Sequence, residues 1–220
     1  MTMKELLKMD FMEHYGILST ICVDAYVTEG RADKKFDMDD GEGVLPEGCG
    51  KLTIVNENGT FDLLHYEGLI GQCKSPKSFQ KGLKRCDNVL WHKDIGGTFL
   101  LCEITSANGK RDNLEIPIKD FEGGKMQKAE RQLEVSLKTL MDVPKIKEYV
   151  DRYASKVCLM AYKVLTYKEE KINDFVKPFQ RFSLVEMHET EDNGAELESP
   201  SINEMGFSFR RIAHGAVFKI

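Results

Sequence analysis

Two carboxylates lie within an otherwise apolar stretch of the sequence, CDNVLWHKDIGGTFLLCEIT at residues 86–105. Asp87 begins the first apolar run, and Glu103 stands near the end of the second, after an Ile-Gly-Gly turn. Burying an unpaired charge is costly, so core strands rarely carry carboxylates without partners. Two carboxylates held close together repel each other, and a divalent cation relieves that repulsion. Such a cation can activate water and stabilise a phosphoryl transition state, so the pair indicates a metal-dependent hydrolytic site.

The two apolar runs are predicted to form antiparallel neighbouring strands, at about residues 86–92 and 97–105, because only a short turn joins them. In such a hairpin the start of the first strand lies beside the end of the second. This places Asp87 and Glu103 at the same end of the predicted sheet.

A helix is predicted to follow at residues 125–141, because its apolar residues recur at the three-to-four spacing of one buried face. A second helix begins near Pro144, and the short apolar segment 156–167 fits a strand that is covered on both faces. A strand, a helix and a buried strand in succession form a crossover, so the strand that carries Glu103 and the later strand should run parallel.

This layout resembles the PD-(D/E)xK nuclease superfamily, which has the restriction-endonuclease-like fold. In that pattern an Asp begins one strand, the next strand carries Glu or Asp, any residue and Lys, and a helix crosses to another core strand. The resemblance covers about residues 80–165 and implies an α/β fold with a mixed central β-sheet flanked by helices. The matching segments are CDNVLW (86–91), FLLCEIT (99–105), KAERQL (128–133) and KVCLMAYKV (156–164).

The resemblance also implies a metal site. Asp87 and Glu103 would hold Mg²⁺ or Mn²⁺, with the Ile104 carbonyl as a third ligand. The lysine of the motif falls at a position where this sequence has Thr105. A threonine in this catalytic position cannot orient water and stabilise charge as a lysine does.

In such folds the role of the lysine can be taken by a residue elsewhere. The candidates are Lys93 on the adjacent strand, and Lys125 or Lys128 at the start of the helix. Gln132 on the same helix could also face the site. His92 lies close to Asp87 in sequence and could be a site residue, but a surface imidazole is the favoured interpretation.

The resemblance implies a metal-dependent nuclease that cleaves phosphodiester bonds of DNA or RNA in a prokaryotic defence or DNA-processing system. Because of Thr105, an alternative stays open: a catalytically degenerate nuclease-fold subunit that binds nucleic acid or scaffolds a protein complex. A third interpretation is a mixed α/β protein unrelated to nucleases, whose acids form structural salt bridges.

The composition is that of an ordinary globular protein, with 41% hydrophobic and 30% charged residues. The formal net charge of -5 gives no overall basic surface for nucleic acid, although a single basic face is compatible with it. No C-x-x-C pair occurs among the six cysteines, and no export signal or membrane span is expected, so we expect reduced thiols, a cytoplasmic location and no membrane partner.

A single domain is expected over residues 1–220, with a nuclease-like core at about 80–167. A β-rich elaboration at 1–79 would precede this core, and an extension at 168–220 would follow it. In the first third of the chain, the sequence predicts a short helix near the start, a strand at 17–27, a solvated acidic loop at 29–50 and a β-hairpin at 51–66. The connector at 67–85 is basic and could contact phosphates, and an edge strand is predicted at 113–121. The last part of the chain is expected to contain a strand-like segment at 175–189, an exposed loop at 189–204 and terminal strands at 206–220.

Overall fold

A computed structural model of the chain describes residues 1–17, 21–40, 42–73, 85–108, 125–163 and 191–220. These residues form a seven-stranded sheet and a four-stranded sheet, together with helices that pack against the larger one. Two apolar clusters fill the spaces on either side of the large sheet, one beneath the helices and one beneath the small sheet.

The elements follow one another in chain order. The helices are α1 (Met3–Leu6), α2 (Met12–His14), α3 (Tyr66–Gln72), α4 (Lys125–Met141), α5 (Pro144–Val150) and α6 (Pro200–Glu204), with a π-helical segment at Leu7–Phe11 and a 3₁₀-helix at Val23–Ala25. The strands are β1 (Val27–Arg31), β2 (Lys35–Asp39), β3 (Glu42–Leu45), β4 (Leu52–Val55), β5 (Phe61–His65), β6 (Asn88–His92), β7 (Thr98–Asn108), β8 (Ser155–Lys163), β9 (Ala195–Leu197), β10 (Ser208–Ala213) and β11 (Val217–Lys219).

The large sheet has the strand order β1-β5-β6-β7-β8-β10-β9. Strand β6 pairs antiparallel with both β5 and β7, whereas β7 and β10 both run parallel to β8. The hairpin and the crossover through α4 are therefore confirmed, as is the mixed α/β class with a large mixed sheet flanked by helices.

Helix α4 covers the face of the large sheet that carries Phe99 and Leu101. Its residues Leu133, Leu137 and Leu140 are completely buried in the same cluster, at the spacing that the sequence predicts. Pro144 stands in the first turn of α5, where its missing N–H costs nothing. These contacts fix α4 over β7, which matters for the position of Glu103.

The opposite face of the large sheet is covered by the small sheet, whose order is β11-β4-β2-β3. Phe36 and Met38 of β2 are buried in the same apolar cluster as Leu90 and Leu100 of the large sheet. The rings of Phe36 and Phe61 stack with their centroids 4.9 Å apart. The large sheet is thus enclosed between helices on one face and strands on the other.

The solvated loop predicted at residues 29–50 is wrong, because this segment contains most of β1 and all of β2 and β3. The buried face of β2 carries Phe36 and Met38, and Asp37 is buried as well. Its carboxylate accepts hydrogen bonds from the Thr53 hydroxyl at 2.8 Å and from the Gly50 N–H at 3.0 Å. These bonds compensate a charge that the composition alone assigns to solvent.

Three further segment predictions are wrong. The hairpin at 51–66 is absent because β4 belongs to the small sheet and β5 to the large one, so the Asn58-Gly59 turn carries the chain between layers. Within 17–27, the described residues form a 3₁₀-helix and only the start of β1. The loop predicted at 189–204 contains β9 and α6.

The amino-terminal helix and the strands on either side of His214 and Gly215 are confirmed. The edge strand at 113–121, the segment 175–189 and the lysines of the basic connector lie outside the described residues. Within the described ranges, no helix combines the length and the apolar character needed to cross a bilayer.

His92 is completely buried, so the expectation of a surface imidazole is wrong. Its Nδ1 accepts a hydrogen bond from the Thr98 N–H at 2.8 Å, which places the ring proton on Nε2. Nε2 then donates to Asn56 Oδ1 at 3.0 Å. The imidazole therefore joins the β6–β7 turn to the segment that connects the two sheets.

The replacement His92→Gln is expected to reduce the free energy of unfolding by about 1–3 kcal/mol, because buried hydrogen-bonding groups lose their partner. Burial lowers the pKa of His92. Its contribution to stability is therefore complete above pH 6.5, the ordinary value for this group, and is lost as the pH falls through the lower pKa of the folded state. Urea unfolding at pH 7.5 and at pH 5 should show a smaller pH dependence in the variant, and His14→Gln, at an exposed position, is the matched control. Equal pH dependence in both proteins would contradict this role.

Candidate metal centre

The two predicted carboxylates lie at the same end of the large sheet and are both buried, with Asp87 3% and Glu103 6% exposed. The register pairs Asn88 with Cys102, so regular pairing would set Asp87 opposite Glu103. Instead the Asp87 N–H donates to the Cys102 carbonyl at 3.1 Å, which shifts the pairing by one residue. The local irregularity lets Asp87 Oδ2 accept a hydrogen bond from the Ile104 N–H at 2.6 Å.

Each of the two carboxylates is preceded in the sequence by a buried cysteine, Cys86 before Asp87 and Cys102 before Glu103. Burial raises the pKa of Cys86, and Glu103 and Asp87 raise it further. Cys102 behaves in the same way, with burial as the main cause and both carboxylates as further causes. Both thiols therefore lie in an acidic environment at this end of the sheet.

Asp87 also meets two acidic residues that the sequence analysis did not select, Asp40 and Glu67. One oxygen from each of the three carboxylates lies within 4.8 Å of the others. Asp40 follows β2 of the small sheet, and Glu67 lies in the first turn of α3. The Asp87 carbonyl accepts hydrogen bonds from the N–H groups of Tyr66 and Glu67, which ties the start of α3 to this point.

The cluster of Asp40, Glu67 and Asp87 strongly disfavours the ionised form of its buried member. The pKa of Asp87 is raised to about 8, with burial as the largest cause and the carboxylates of Asp40 and Glu67 as further causes. The hydrogen bond from the Ile104 N–H acts in the opposite direction. A bound divalent cation would offset the repulsion among these three carboxylates.

Glu103 is held by helix α4. Its Oε1 accepts a hydrogen bond from Gln132 Nε2 at 2.9 Å, and the same Nε2 donates to the Arg85 carbonyl at 2.8 Å. One turn later, Ser136 Oγ accepts a hydrogen bond from the Cys86 N–H at 2.8 Å. The helix thus positions Glu103 and the residues that lead into Asp87. Gln132 faces Glu103, and its role in catalysis stays a prediction.

The lysine candidates separate clearly by position. Lys93 lies beyond the opposite end of β6, about 20 Å along the strand from Asp87, so it does not belong to this end of the sheet. Its Nζ lies 3.9 Å from Asp62 Oδ1. Lys128 precedes Gln132 by one helical turn and therefore lies on the same side of α4, with an exposed side chain. Lys125 begins α4 a further turn toward its amino end.

Thr105 follows Glu103 by two residues in β7, so its side chain is on the same face of the strand. It pairs with Tyr162 of β8 and is half-buried. Because α4 returns from the end of β7 toward the start of β8, the turn that carries Lys128 lies on the Thr105 side of Gln132. Lys128 therefore lies toward the Thr105 end of α4, whereas Lys93 lies beyond the opposite end of β6.

The donor set suits a hard divalent cation, because Asp87, Glu103, Asp40 and Glu67 all offer carboxylate oxygens. Glu103 does not belong to the group of three that lies within 4.8 Å. Ile104 contributes its N–H to Asp87, and the role of its carbonyl as a metal ligand stays a prediction. Asp87 is the residue that the predicted pair and the acidic cluster share.

The replacement Gln132→Leu is expected to weaken Mn²⁺ binding about 10- to 100-fold, the usual effect of removing a group that orients a ligand. The reason is that Glu103 loses its hydrogen-bond donor while its own charge is kept. Isothermal titration with Mn²⁺ measures the change, and Gln127→Leu, at an exposed position of the same helix, is the control. Unchanged affinity in Gln132→Leu would show that the orientation of Glu103 does not matter for the cation.

No family model matches the chain, and no curated protein or solved structure is significantly similar to it.

Proposed function

We propose that the protein is a metal-dependent nuclease that hydrolyses phosphodiester bonds of DNA or RNA, with Asp87 and Glu103 as ligands of Mg²⁺ or Mn²⁺. The observation that carries the proposal is the placement of two buried carboxylates at one end of the β6–β7 pair, with α4 packed beside them. Buried carboxylates are costly without a counter-charge, and the cation would supply it.

The order of the elements supports the proposal. Two antiparallel strands, a crossing helix and a strand parallel to the second are the arrangement that the PD-(D/E)xK resemblance implies, with Asp87 and Glu103 at the motif positions. A prokaryotic defence or DNA-processing setting follows by analogy with that family alone.

The side chains divide the chemistry among themselves. A bound divalent cation would supply an activated water and stabilise charge on the phosphate. Gln132 holds the carboxylate of Glu103, and the Ile104 N–H holds that of Asp87. Lys128 would take the place of the motif lysine and stabilise negative charge, since Thr105 carries none.

Thr105 also favours a second function, that of a catalytically degenerate subunit on the same fold. A degenerate site would keep the carboxylates but lack the charge that a lysine brings to the transition state. Such a subunit would bind nucleic acid or scaffold a protein complex. In either case the partners are nucleic acid or a protein subunit, and the six free cysteines support a reducing, cytoplasmic location.

The test is a cleavage assay on purified protein, with single-stranded and duplex DNA and RNA in Mg²⁺ or Mn²⁺. The nuclease should cut at least one substrate, and Asp87→Ala and Glu103→Ala should abolish cutting. EDTA should abolish it as well. Absence of cleavage of every substrate, together with nucleic-acid binding, would favour the degenerate subunit instead.

A further inference from the structure

Asn88, which follows Asp87, has a side chain with no evident structural purpose. It is completely buried, and neither Oδ1 nor Nδ2 has a hydrogen-bond partner among the described residues. Native proteins satisfy nearly all buried polar groups, because an unsatisfied one retains the full cost of losing its water. A buried carboxamide with both atoms unsatisfied therefore indicates a bound group that supplies the partner.

The strand register shows which way this carboxamide points. Asn88 lies opposite Cys102 on β7 and two residues before Leu90 in β6, so the three side chains share one face of the sheet. Cys102 and Leu90 both belong to the apolar cluster between the two sheets. The Asn88 side chain therefore faces the small sheet.

Asp40 approaches from that same side, because it directly follows β2 of the small sheet. Its carboxylate reaches Asp87, the residue adjacent to Asn88, as does that of Glu67. The buried carboxamide therefore lies on the same side of the large sheet as Asp40, beside the gap between the ends of β2 and β6 where Asp40 and Asp87 meet. Asp40 and Glu67 are exposed, so this gap is open to solvent and to ions.

We propose that Asn88 is a ligand of a divalent cation that Asp40, Glu67 and Asp87 hold between the two sheets. A carboxamide oxygen is a hard, neutral donor of the kind that divalent cations accept beside carboxylates. It adds a ligand without adding repulsion to three acidic groups. The inference rests on the proposed metal centre through Asp87, and it assigns three further ligands to that centre.

The site would join three elements that are not consecutive along the chain. Asp40 directly follows β2 of the small sheet, Glu67 lies in α3, and Asp87 and Asn88 lie at the start of β6 in the large sheet. Occupation by a cation should therefore stabilise the small sheet against the large one, as any ligand selective for the folded state does.

The test is the affinity for Mn²⁺ and the Mn²⁺-dependent rise in melting temperature of the full chain. The Asn88→Leu variant has a similar volume and removes both polar atoms. Its dissociation constant for Mn²⁺ should rise at least about tenfold, while the melting temperature of its metal-free form should equal or exceed that of the wild type. Asp40→Asn and Glu67→Gln should weaken binding as well, and Glu148→Gln, at an exposed site on α5, should not.

Wild-type affinity for Mn²⁺ in Asn88→Leu, or no binding of Mn²⁺ by the wild type, would overturn the inference. If Asn88→Leu does not fold, Asn88→Asp replaces it; this variant should bind Mn²⁺ more tightly, and unchanged or weaker binding would count against the inference.

The two proposals fail separately. Loss of cleavage in Glu103→Gln with unchanged Mn²⁺ affinity in the Asn88, Asp40 and Glu67 variants would sustain the nuclease and remove these ligands. Mn²⁺ binding that requires Asn88, Asp40 and Glu67, without cleavage of any nucleic acid, would sustain the site and remove the nuclease.

Discussion

The replacement Glu103→Gln is expected to lower the rate constant of Mg²⁺-dependent cleavage about 1000-fold or more, equivalent to about 4 kcal/mol of transition-state stabilisation. The variant keeps the shape of the side chain, and its amide oxygen can still accept the hydrogen bond from Gln132. Only the charge is removed. The loss should therefore appear in the cleavage step, because the fold and the surface that meets the substrate are kept.

Single-turnover cleavage at saturating enzyme measures this rate constant separately from substrate affinity. Glu148→Gln removes one exposed charge far along the chain from the site and should cleave as the wild type does. Near-wild-type cleavage by Glu103→Gln would remove Glu103 from the metal centre. It would leave the cluster of Asp40, Glu67 and Asp87 as the only supported ligands among the described residues.

The replacement Asp87→Asn is expected to stabilise the metal-free protein at alkaline pH. Burial raises the pKa of Asp87 to about 8, well above its ordinary value of 3.8. A group whose pKa is raised on folding contributes stability that is complete below the ordinary value and is lost as the pH rises through the folded value. Asparagine resembles the protonated carboxyl and stays neutral, so the variant should lack this loss.

Urea unfolding in EDTA at pH 5, 7 and 9 measures the effect. The variant should exceed the wild type by at least about 2 kcal/mol at pH 9, and the difference should shrink steadily toward pH 5. Excess Mg²⁺ should stabilise the wild type at pH 9 and leave the variant nearly unchanged. Parallel pH profiles for the two proteins would show that Asp87 is ionised in the folded protein without a cation.

The sequence predicted the centre of the fold well where a strong local pattern met a short connection. Helix α4 has an uninterrupted apolar face, and β6 and β7 are apolar runs separated by a short Gly-containing turn. The small sheet was missed because β2 is rich in aspartate and lysine, so composition outweighed the alternation of Phe36 and Met38. The turn at Asn58-Gly59 was recognised, yet a turn does not determine whether its flanking strands pair with each other or enter different sheets.

The same limit applies to the candidate site. Asp87 and Glu103 stood out because charges in apolar runs are unusual, and hairpin geometry then related them. Asp40 and Glu67 carry no such signal, because they reach Asp87 only through the packing of the small sheet and α3. Lys93 is close to Asp87 in sequence, but the two residues flank β6 and therefore lie at opposite ends of that strand.

The most direct test of the account is the anomalous difference map of crystals grown with Mn²⁺. If Asp87 is a metal ligand, a Mn²⁺ peak is expected at about 2.0–2.4 Å from one of its carboxylate oxygens. Glu103 should complete the coordination according to the proposed function, and Asn88 according to the further inference. A peak elsewhere on the protein, or none beside Asp87 at saturating Mn²⁺, would contradict the assignment of a metal centre to this end of the large sheet.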